Sequence, residues 1–404
     1  MNPAQGSLFG GQRLRMEQAI ELTADSLNTY GPRYEHWALA WSGGKDSTTT
    51  LTLVLHLMDA GLIPRPKTFT VLYSDTRMEI HPLWLAAQDI LVQLRQRGVD
   101  VRVVMAPMDK RFLVYILGRG VPPPNNNTLR WCTRQIKVDP MVAELTRLHG
   151  ERGGKVLMIT GVRQGESAIR DGRIAQSCSK DGAECGQGWF QETLPEALCD
   201  TLAPLLHWRV CHVWDWLNFF APSAEHGGWS TRLLAEAYGG EEAEEINART
   251  GCICCPLAER DTALDALIRM PAWGYLAPLK HLREVYRELR LPANRLRKAG
   301  AEVLKSGELA KNPQRMGPIT LEARRQALER VLAIQGAVNH EAARLRRPEV
   351  DILNPEERSR IEELIAAGTW PEGWTGDEPL ATELLDKVYQ DGSVQPLLAM
   401  FDRP

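Results

Sequence analysis

Long apolar runs are missing from this 404-residue chain. The longest, Leu51–Met58, is broken by Thr52 and His56 and falls well short of the roughly 20 residues that a bilayer-spanning helix needs. No membrane span is expected. The opening residues, MNPAQGSLFGGQRLRMEQ, hold no basic segment followed by an apolar one, so no secretory leader is expected and the reading is cytoplasmic. Cysteine is scarce, at 8 residues, too few for a disulfide-stapled scaffold; in a reducing compartment thiols stay free, bind metal or do chemistry, so their spacing carries the information. Repeats and low-complexity tracts are absent as well. With 48 basic against 51 acidic residues, net charge argues neither for nor against a nucleic-acid partner. Its distribution is uneven: 280–347 carries 16 Lys/Arg against 7 Asp/Glu, and 348–404 carries 4 against 13.

What is present is a βαβ rhythm. The runs HWALAW (36–41), TFTVLYS (68–74), VDVRVVM (99–105) and VLMITGV (156–162) alternate with helical patterns over Ser47–Ala60, Leu83–Arg97 and Val138–His149. Such alternation predicts an α/β fold, a parallel sheet with helices on both faces. Pro122–Asn127 and Ser177–Gln187 are expected loops, long enough to lie over a site. From Ala258 onward the pattern is helical and no strand is predicted. The expected organisation is a helical extension over 1–35, an α/β domain over 36–220, a cysteine-bearing segment over 221–260 and a helical region over 261–404.

Between the first predicted strand and the next helix lies Ser42-Gly43-Gly44-Lys45-Asp46-Ser47. Backbone N–H groups and the positive end of a helix cradle an anion at such a junction. Two glycines admit phosphate oxygens without Cβ interference, Lys45 adds charge, and Ser42 and Ser47 add hydroxyl donors. The upstream glycine of a Walker A loop is absent.

The hexapeptide resembles the signature loop of the N-type ATP pyrophosphatases, which cleave ATP to AMP and pyrophosphate while activating an oxygen of a second substrate. The resemblance implies a Rossmann-like adenine nucleotide α-hydrolase (HUP) sheet. It also implies a pyrophosphate site at Ser42, Gly43, Gly44, Lys45 and Ser47, with Lys45 catalytic and Asp46 near bound Mg2+. Tyr73-Ser74-Asp75-Thr76 ends the next predicted strand, where the family contacts adenosine and ribose at the carboxyl edge of the sheet; a structural turn is the alternative there. Over about residues 36–260 further segments resemble the branch of phosphoadenylylsulfate (PAPS) reductases and of the ATP pyrophosphatase component of Dnd-type and Ssp-type DNA phosphorothioation systems. Gly118-Arg119-Gly120-Val121-Pro122-Pro123-Pro124, then Arg130-Trp131-Cys132-Thr133 and Lys137, looks more like the phosphorothioation proteins. Gly161-Val162-Arg163, followed by Glu166, Ser167 and Arg170, resembles the family strand end whose arginine faces nucleotide phosphates, which implies a catalytic Arg163; a solvated arginine is the alternative. Leu205, Trp208 and Val213-Trp214-Asp215-Trp216 match the branch too, and for these tryptophans packing is the better reading.

Gly251-Cys252-Ile253-Cys254-Cys255-Pro256 contains a C-x-x-C unit, which can put two thiolates on one metal or cluster. Together with Cys132, 120 residues earlier, it resembles the adenylylsulfate reductases, where a Cys-Cys pair and a later C-x-x-C ligate a 4Fe–4S cluster. Thr133 takes the second place of that pair here. The resemblance implies Cys132, Cys252 and Cys255 as ligands, with a fourth from Cys254, Cys185 or Cys178. A zinc site and free buried thiols are the alternatives. Cys199 and Cys211, in predicted helical and apolar surroundings, are expected to be packed. Cys178 and Cys185 flank a polar loop suited to sulfur carriage, a loop staple or ligation.

The chemistry implied is adenylation of a DNA phosphate by ATP, followed by sulfur insertion. The implied partners are DNA, a cysteine desulfurase as sulfur donor and other phosphorothioation-complex proteins. Arg287, Arg290, Arg295, Arg297, Lys298, Arg324, Arg325, Arg344, Arg346 and Arg347 on helical patterns either track a phosphate backbone or form a solvated face. Three rival readings stand: a PAPS or adenylylsulfate reductase-like enzyme, tRNA thiolation, and a nucleotide-sensing module without turnover. The first is disfavoured, since those reductases carry a redox cysteine in the tail and no cysteine follows Cys255.

Overall fold

The computed structural model describes residues 14–126, 129–165, 189–191, 198–239, 251–300, 302, 306–308 and 310–397. The chain divides into two compact units that interleave along the sequence. The first takes Met1–Asp75, Glu79–Met105 and Lys137–Gly251; the second takes Thr76–Met78, Ala106–Ile136 and Cys252–Pro404. Among the described residues no helix is long and apolar enough to cross a membrane.

In the first unit α1 (Met16–Tyr30) precedes β1 (His36–Trp41), α2 (Lys45–Asp59), β2 (Thr68–Ser74), α3 (His81–Gln96), β3 (Asp100–Val104), α4 (Asp139–Arg152), β4 (Val156–Ile159), β5 (Trp189–Gln191), β6 (Cys199–Ala203), α5 (Val210–Asp215) and α6 (Arg232–Ala237). The sheet order is β3-β2-β1-β4-β6-β5. Five strands are parallel and β5 runs antiparallel against β6. Alternate side chains serve opposite faces. Ala38, Leu72, Val104, Val156, Met158 and Cys199 pack with Leu145 and Leu148 of α4 on one face. On the other, Trp41 Nε1 donates to Thr48 Oγ1 of α2 at 2.9 Å. With both faces covered, β1 is apolar along its length.

Cys199 therefore sits in a strand and not, as expected, in a helix. CDTLA (199–203) carries no strand period that the sequence shows, and it is pairing with β4 that extends it. The expectation of packing holds for Cys199, which is buried, but fails for Cys211, which is exposed on α5. The tryptophans do pack: Trp208, Trp214 and Trp216 are buried, and Trp216 Nε1 donates to Thr52 Oγ1 at 2.8 Å.

From β1 the chain steps to β2 and β3 in one direction, whereas β4 and β6 lie on the other side of β1. Strand order reverses between β1 and β4, and open α/β sheets bind ligands at the carboxyl ends flanking such a point. The loop 42–47 leaves β1 there, and residues 160–163 leave β4 there.

The second unit is mainly helical: α7 (Thr262–Leu267), a 3-10 segment Gly274–His281, α8 (Leu282–Glu288), α9 (Leu321–Leu345) and α10 (Pro355–Ala366). The sequence announces α9 and α10 by their caps: Thr320 Oγ1 accepts from Ala323 N–H, and Asn354 and Glu357 form a reciprocal capping box behind Pro355. Against expectation, strands occur here too: β7 (Arg295–Arg297) pairs antiparallel with β8 (Met316–Ile319), and β9 (Lys387–Val388) with β10 (Val394–Gln395). Two to four residues, some of them Arg, Lys, Gly or Pro, leave no period to read.

Candidate functional site

The phosphate loop is held open by backbone conformation. Gly43 has φ of 74°, a left-handed value that a Cβ disfavours. Gly44 is the N-cap of α2, and from Lys45 onward the chain is helical, so the first amides of α2 and the positive end of its dipole face the loop. Ser47 Oγ donates to Gly44 O at 3.0 Å and lies 3.2 Å from Ser42 Oγ. Lys45 and Ser47 are both buried.

Across the switch point, Gly161 fits because it has no side chain. A Cβ there would come to 2.7 Å from Ser47 N and 2.8 Å from Asp46 C, both backbone atoms that cannot swing aside. Two residues on, buried Arg163 donates from Nε to Asp46 Oδ1 at 2.5 Å, and Lys45 Nζ donates to Asp46 Oδ2 at 3.0 Å. Burial by itself would push the Asp46 carboxyl up, but the charges and hydrogen bonds of Lys45 and Arg163 outweigh it and hold the group below its ordinary range. The carboxylate expected near Mg2+ is thus clamped between two cations. Mg2+ commonly binds through one or two carboxylates plus substrate phosphates, so Asp46 fits that role once phosphates engage its two partners.

Ser74 and Asp75 leave β2 on the same carboxyl edge, with Asp75 buried and its N–H bonded to Val104 O at 3.0 Å. Thr76 belongs to the second unit, where it is also buried. Tyr73 is buried, and its hydroxyl finds no hydrogen-bond partner among the described residues. Thr160 Oγ1, one residue before Gly161, is in the same state.

One site residue was not foreseen. Tyr238, just after α6, accepts the Lys45 N–H at its hydroxyl (3.1 Å) and stands with its ring 5.0 Å from Lys45 Nζ. Its ring rests edge-on against Trp214 at 5.2 Å, so the tryptophan packing positions it. Nothing in the sequence around Tyr238 signals a role.

The second unit holds Cys132, Cys252, Cys254 and Cys255. Cys255 N–H closes a tight turn on Cys252 O at 3.2 Å, and Cys254 takes a positive φ of 49° inside it. That geometry separates the adjacent thiols. Cys254 is buried and its Sγ donates to Leu279 O at 2.9 Å, while its N–H bonds to Asp261 Oδ2. Burial, with Asp261 nearby, pushes this thiol up and keeps it protonated, a poor state for a ligand. Cys132 follows Trp131, whose ring packs on Tyr115 and Phe112; Phe112 in turn meets Tyr286. Burial pushes the Cys132 thiol up, and the charge of Cys255 adds to that. Tyr286, wholly buried, is pushed up by burial and by Cys254, Cys252 and Cys255 around it. Among the described residues no group of three or more His, Cys, Asp or Glu is arranged to hold a metal ion. Cys178, Cys185, Glu166, Ser167 and Arg170 lie outside the described residues.

The sheet, the loop at its switch point and the arginine behind it form a candidate anion-binding site. Residues 36–219 match the phosphoadenosine phosphosulfate reductase domain. An uncharacterized protein of Methanocaldococcus jannaschii is 23% identical over 232 residues, 57% of this chain and 38% of that protein, so the chain spans well under half of this relative's length. A Candida glabrata FMN adenylyltransferase structure is 15% identical, with a TM-score of 0.33 over 50% of this chain and 55% of that one. A Candida auris PAPS reductase structure is 13% identical, with a TM-score of 0.31 over 52% of this chain and 88% of that one. Over 36–219, somewhat under half of the chain, the sequence is thus similar to a PAPS reductase domain.

Proposed function

We propose that the chain is an ATP pyrophosphatase and sulfurtransferase that activates a DNA phosphate by adenylation, the component of a DNA phosphorothioation system that prepares a non-bridging oxygen for replacement by sulfur. The observation that carries the ATP step is the 42–47 loop at the β1–β4 switch point, closed from behind by Gly161 and Arg163. The DNA acceptor is supported by the segments 118–124 and 130–133, which resemble the phosphorothioation proteins.

In the first step a non-bridging oxygen of the DNA phosphate attacks the α-phosphorus of ATP and pyrophosphate leaves into the loop. Lys45, Arg163 and the amides of α2 offset the charge that develops on the leaving group. Asp46, released by its two cations as they turn to phosphate, is the carboxylate for Mg2+, which would neutralise phosphate charge. In the second step the terminal sulfur of a persulfide supplied by a cysteine desulfurase attacks the activated phosphorus. AMP departs with the former DNA oxygen, and a second thiol takes the remaining sulfur as a disulfide.

A 4Fe–4S cluster would be held by Cys132, Cys252 and Cys255, a reading that rests on their resemblance to the adenylylsulfate reductase ligands, since among the described residues these thiols are not arranged to hold a metal ion. When bound it would supply electrons or sulfide. Cys254, bonded to Leu279, is not proposed as the fourth ligand.

The test is the product of α-labelled ATP with single- or double-stranded DNA and a persulfide donor. AMP and pyrophosphate in the wild type, absent in Lys45→Ala, support the assignment; ADP and phosphate contradict it. A sulfur-assimilation reductase is the second reading, favoured by the domain match, and predicts sulfite release with thioredoxin.

A further inference from the structure

Arg283, Tyr286, Arg287 and Arg290 recur at three- and four-residue spacing through α8 and the turn after it, and so share one side of that helical stretch. With Pro256, Ala258 and Glu259 they line a cavity of about 190 Å³. Pro256 follows Cys255 directly, so the cavity opens beside the cysteine turn.

Some of the guanidinium nitrogens build the wall. Arg283 Nη2 donates to Ala258 O at 2.5 Å and Glu259 O at 2.8 Å; Arg290 Nη2 donates to Pro124 O and, at 3.2 Å, to Pro256 O. Others are left over. Arg283 Nη1, Arg290 Nε and the Tyr286 hydroxyl are buried with no hydrogen-bond partner among the described residues, and Tyr286 is only 1% exposed. Like charges at this helical spacing repel one another. Glu259, exposed at the rim, is the one carboxylate among the lining residues. Three arginines thus line a space whose positive charge an anion would offset, and arginine forks suit tetrahedral oxyanions in particular.

The geometry points to a second binding site, specific for a tetrahedral oxyanion of the phosphate or sulfur-oxyanion class, held by Arg283, Arg287 and Arg290 beside the Cys252–Cys255 turn. It lies wholly within the second unit and uses no residue of the 42–47 loop, so it stands whether or not adenylation is the activity. The oxyanion is either a free ion or the phosphodiester of a nucleic-acid strand.

Calorimetry on the full chain distinguishes these, with inorganic phosphate, sulfite and a single-stranded oligodeoxynucleotide as probes. Arg287 is exposed and makes none of the wall-building bonds above, so Arg287→Gln and Arg287→Glu test its charge without disturbing the fold. The expected result is binding by the wild type, about tenfold weaker in Arg287→Gln and weaker again in Arg287→Glu, with ATP affinity unchanged in both. Oligonucleotide binding that phosphate competes away identifies the phosphodiester; phosphate or sulfite binding alone identifies the free ion. Failure of all three probes to bind the wild type, or wild-type affinity in both Arg287 variants, overturns the site.

Discussion

Arg163 reaches from the end of β4 to Asp46 at the start of α2, Nε to Oδ1 at 2.5 Å, and ties together the two segments that leave the sheet on either side of its switch point. The pair presets the arginine beside the phosphate loop. Under the proposed function it also places a carboxylate where the phosphates of ATP compete with it for the same two cations.

The first prediction concerns acid. The Asp46 carboxyl is held below its ordinary value by Lys45 and Arg163 against the opposing pull of burial. A carboxylate depressed on folding contributes stability that is fully present above its unfolded value, about 3.9, and is lost as pH falls through the folded value. Asp46→Asn should therefore cost about 3 kcal/mol at pH 7, because two buried cations lose their partner. The difference from wild type should shrink only below about pH 4. Melting temperatures across pH 3–8 test this. A gap that is constant down to pH 3 would contradict it.

Gly161→Ala should disturb the loop itself. The added Cβ meets Ser47 N at 2.7 Å and the backbone of Asp46 at 2.8 Å, so the strand end or the start of α2 must shift. Overpacking of this kind costs about 1–3 kcal/mol. ATP affinity, measured by calorimetry, is expected to fall further than the melting temperature suggests. Gly165→Ala, with nothing among the described residues within 4 Å of its Cβ but a φ of 81°, should strain the chain yet leave ATP affinity unchanged.

The cysteines should separate into two classes. After anaerobic purification, Cys132→Ser, Cys252→Ser and Cys255→Ser are expected to lose most bound iron and sulfide. Cys254→Ala, whose thiol is turned to Leu279 O, should keep both and lose stability instead. Equal iron loss in all four would contradict this division. Zinc without iron in the wild type would replace the cluster altogether.

Within the basic segment, sequence neighbours should behave oppositely. Arg324 is fully buried, donates to Gly118 O and Thr369 O at 2.8 and 2.9 Å, and has its guanidinium 4.6 Å from the Trp370 ring centroid. Arg324→Ala should cost about 3–5 kcal/mol through the cavity and the orphaned carbonyls. Arg325 is exposed and pairs only loosely with Glu322 at 3.7 Å, so Arg325→Ala should stay within about 0.5 kcal/mol. Chemical denaturation measures both.

Much of the first unit was legible because its strands are buried on both faces. HWALAW and TFTVLYS match β1 and β2 residue for residue, and the glycine-serine loop between β1 and α2 marks the anion site directly. β6 was hidden because CDTLA shows no strand period of its own and is extended by pairing with its neighbours. Tyr238 could not be foreseen, since only the tertiary path from α6 brings it to Lys45. The basic segment read as one surface but is divided in the structure. Arg324 is core, Arg344 pairs with Glu341, Lys298 pairs with Glu378 of the acidic segment at 2.8 Å, and Arg287 and Arg290 line a cavity. Charge counting has no access to that partition.

Mass spectrometry of phosphorothioate-linked dinucleotides in nuclease-digested DNA, from source cells with the gene intact, deleted or carrying Lys45→Ala, tests the proposed activity most directly. Phosphorothioate in the intact cells and its loss in both variants is the expected result. Unchanged phosphorothioate after deletion, or none in the intact cells, would contradict DNA as the acceptor.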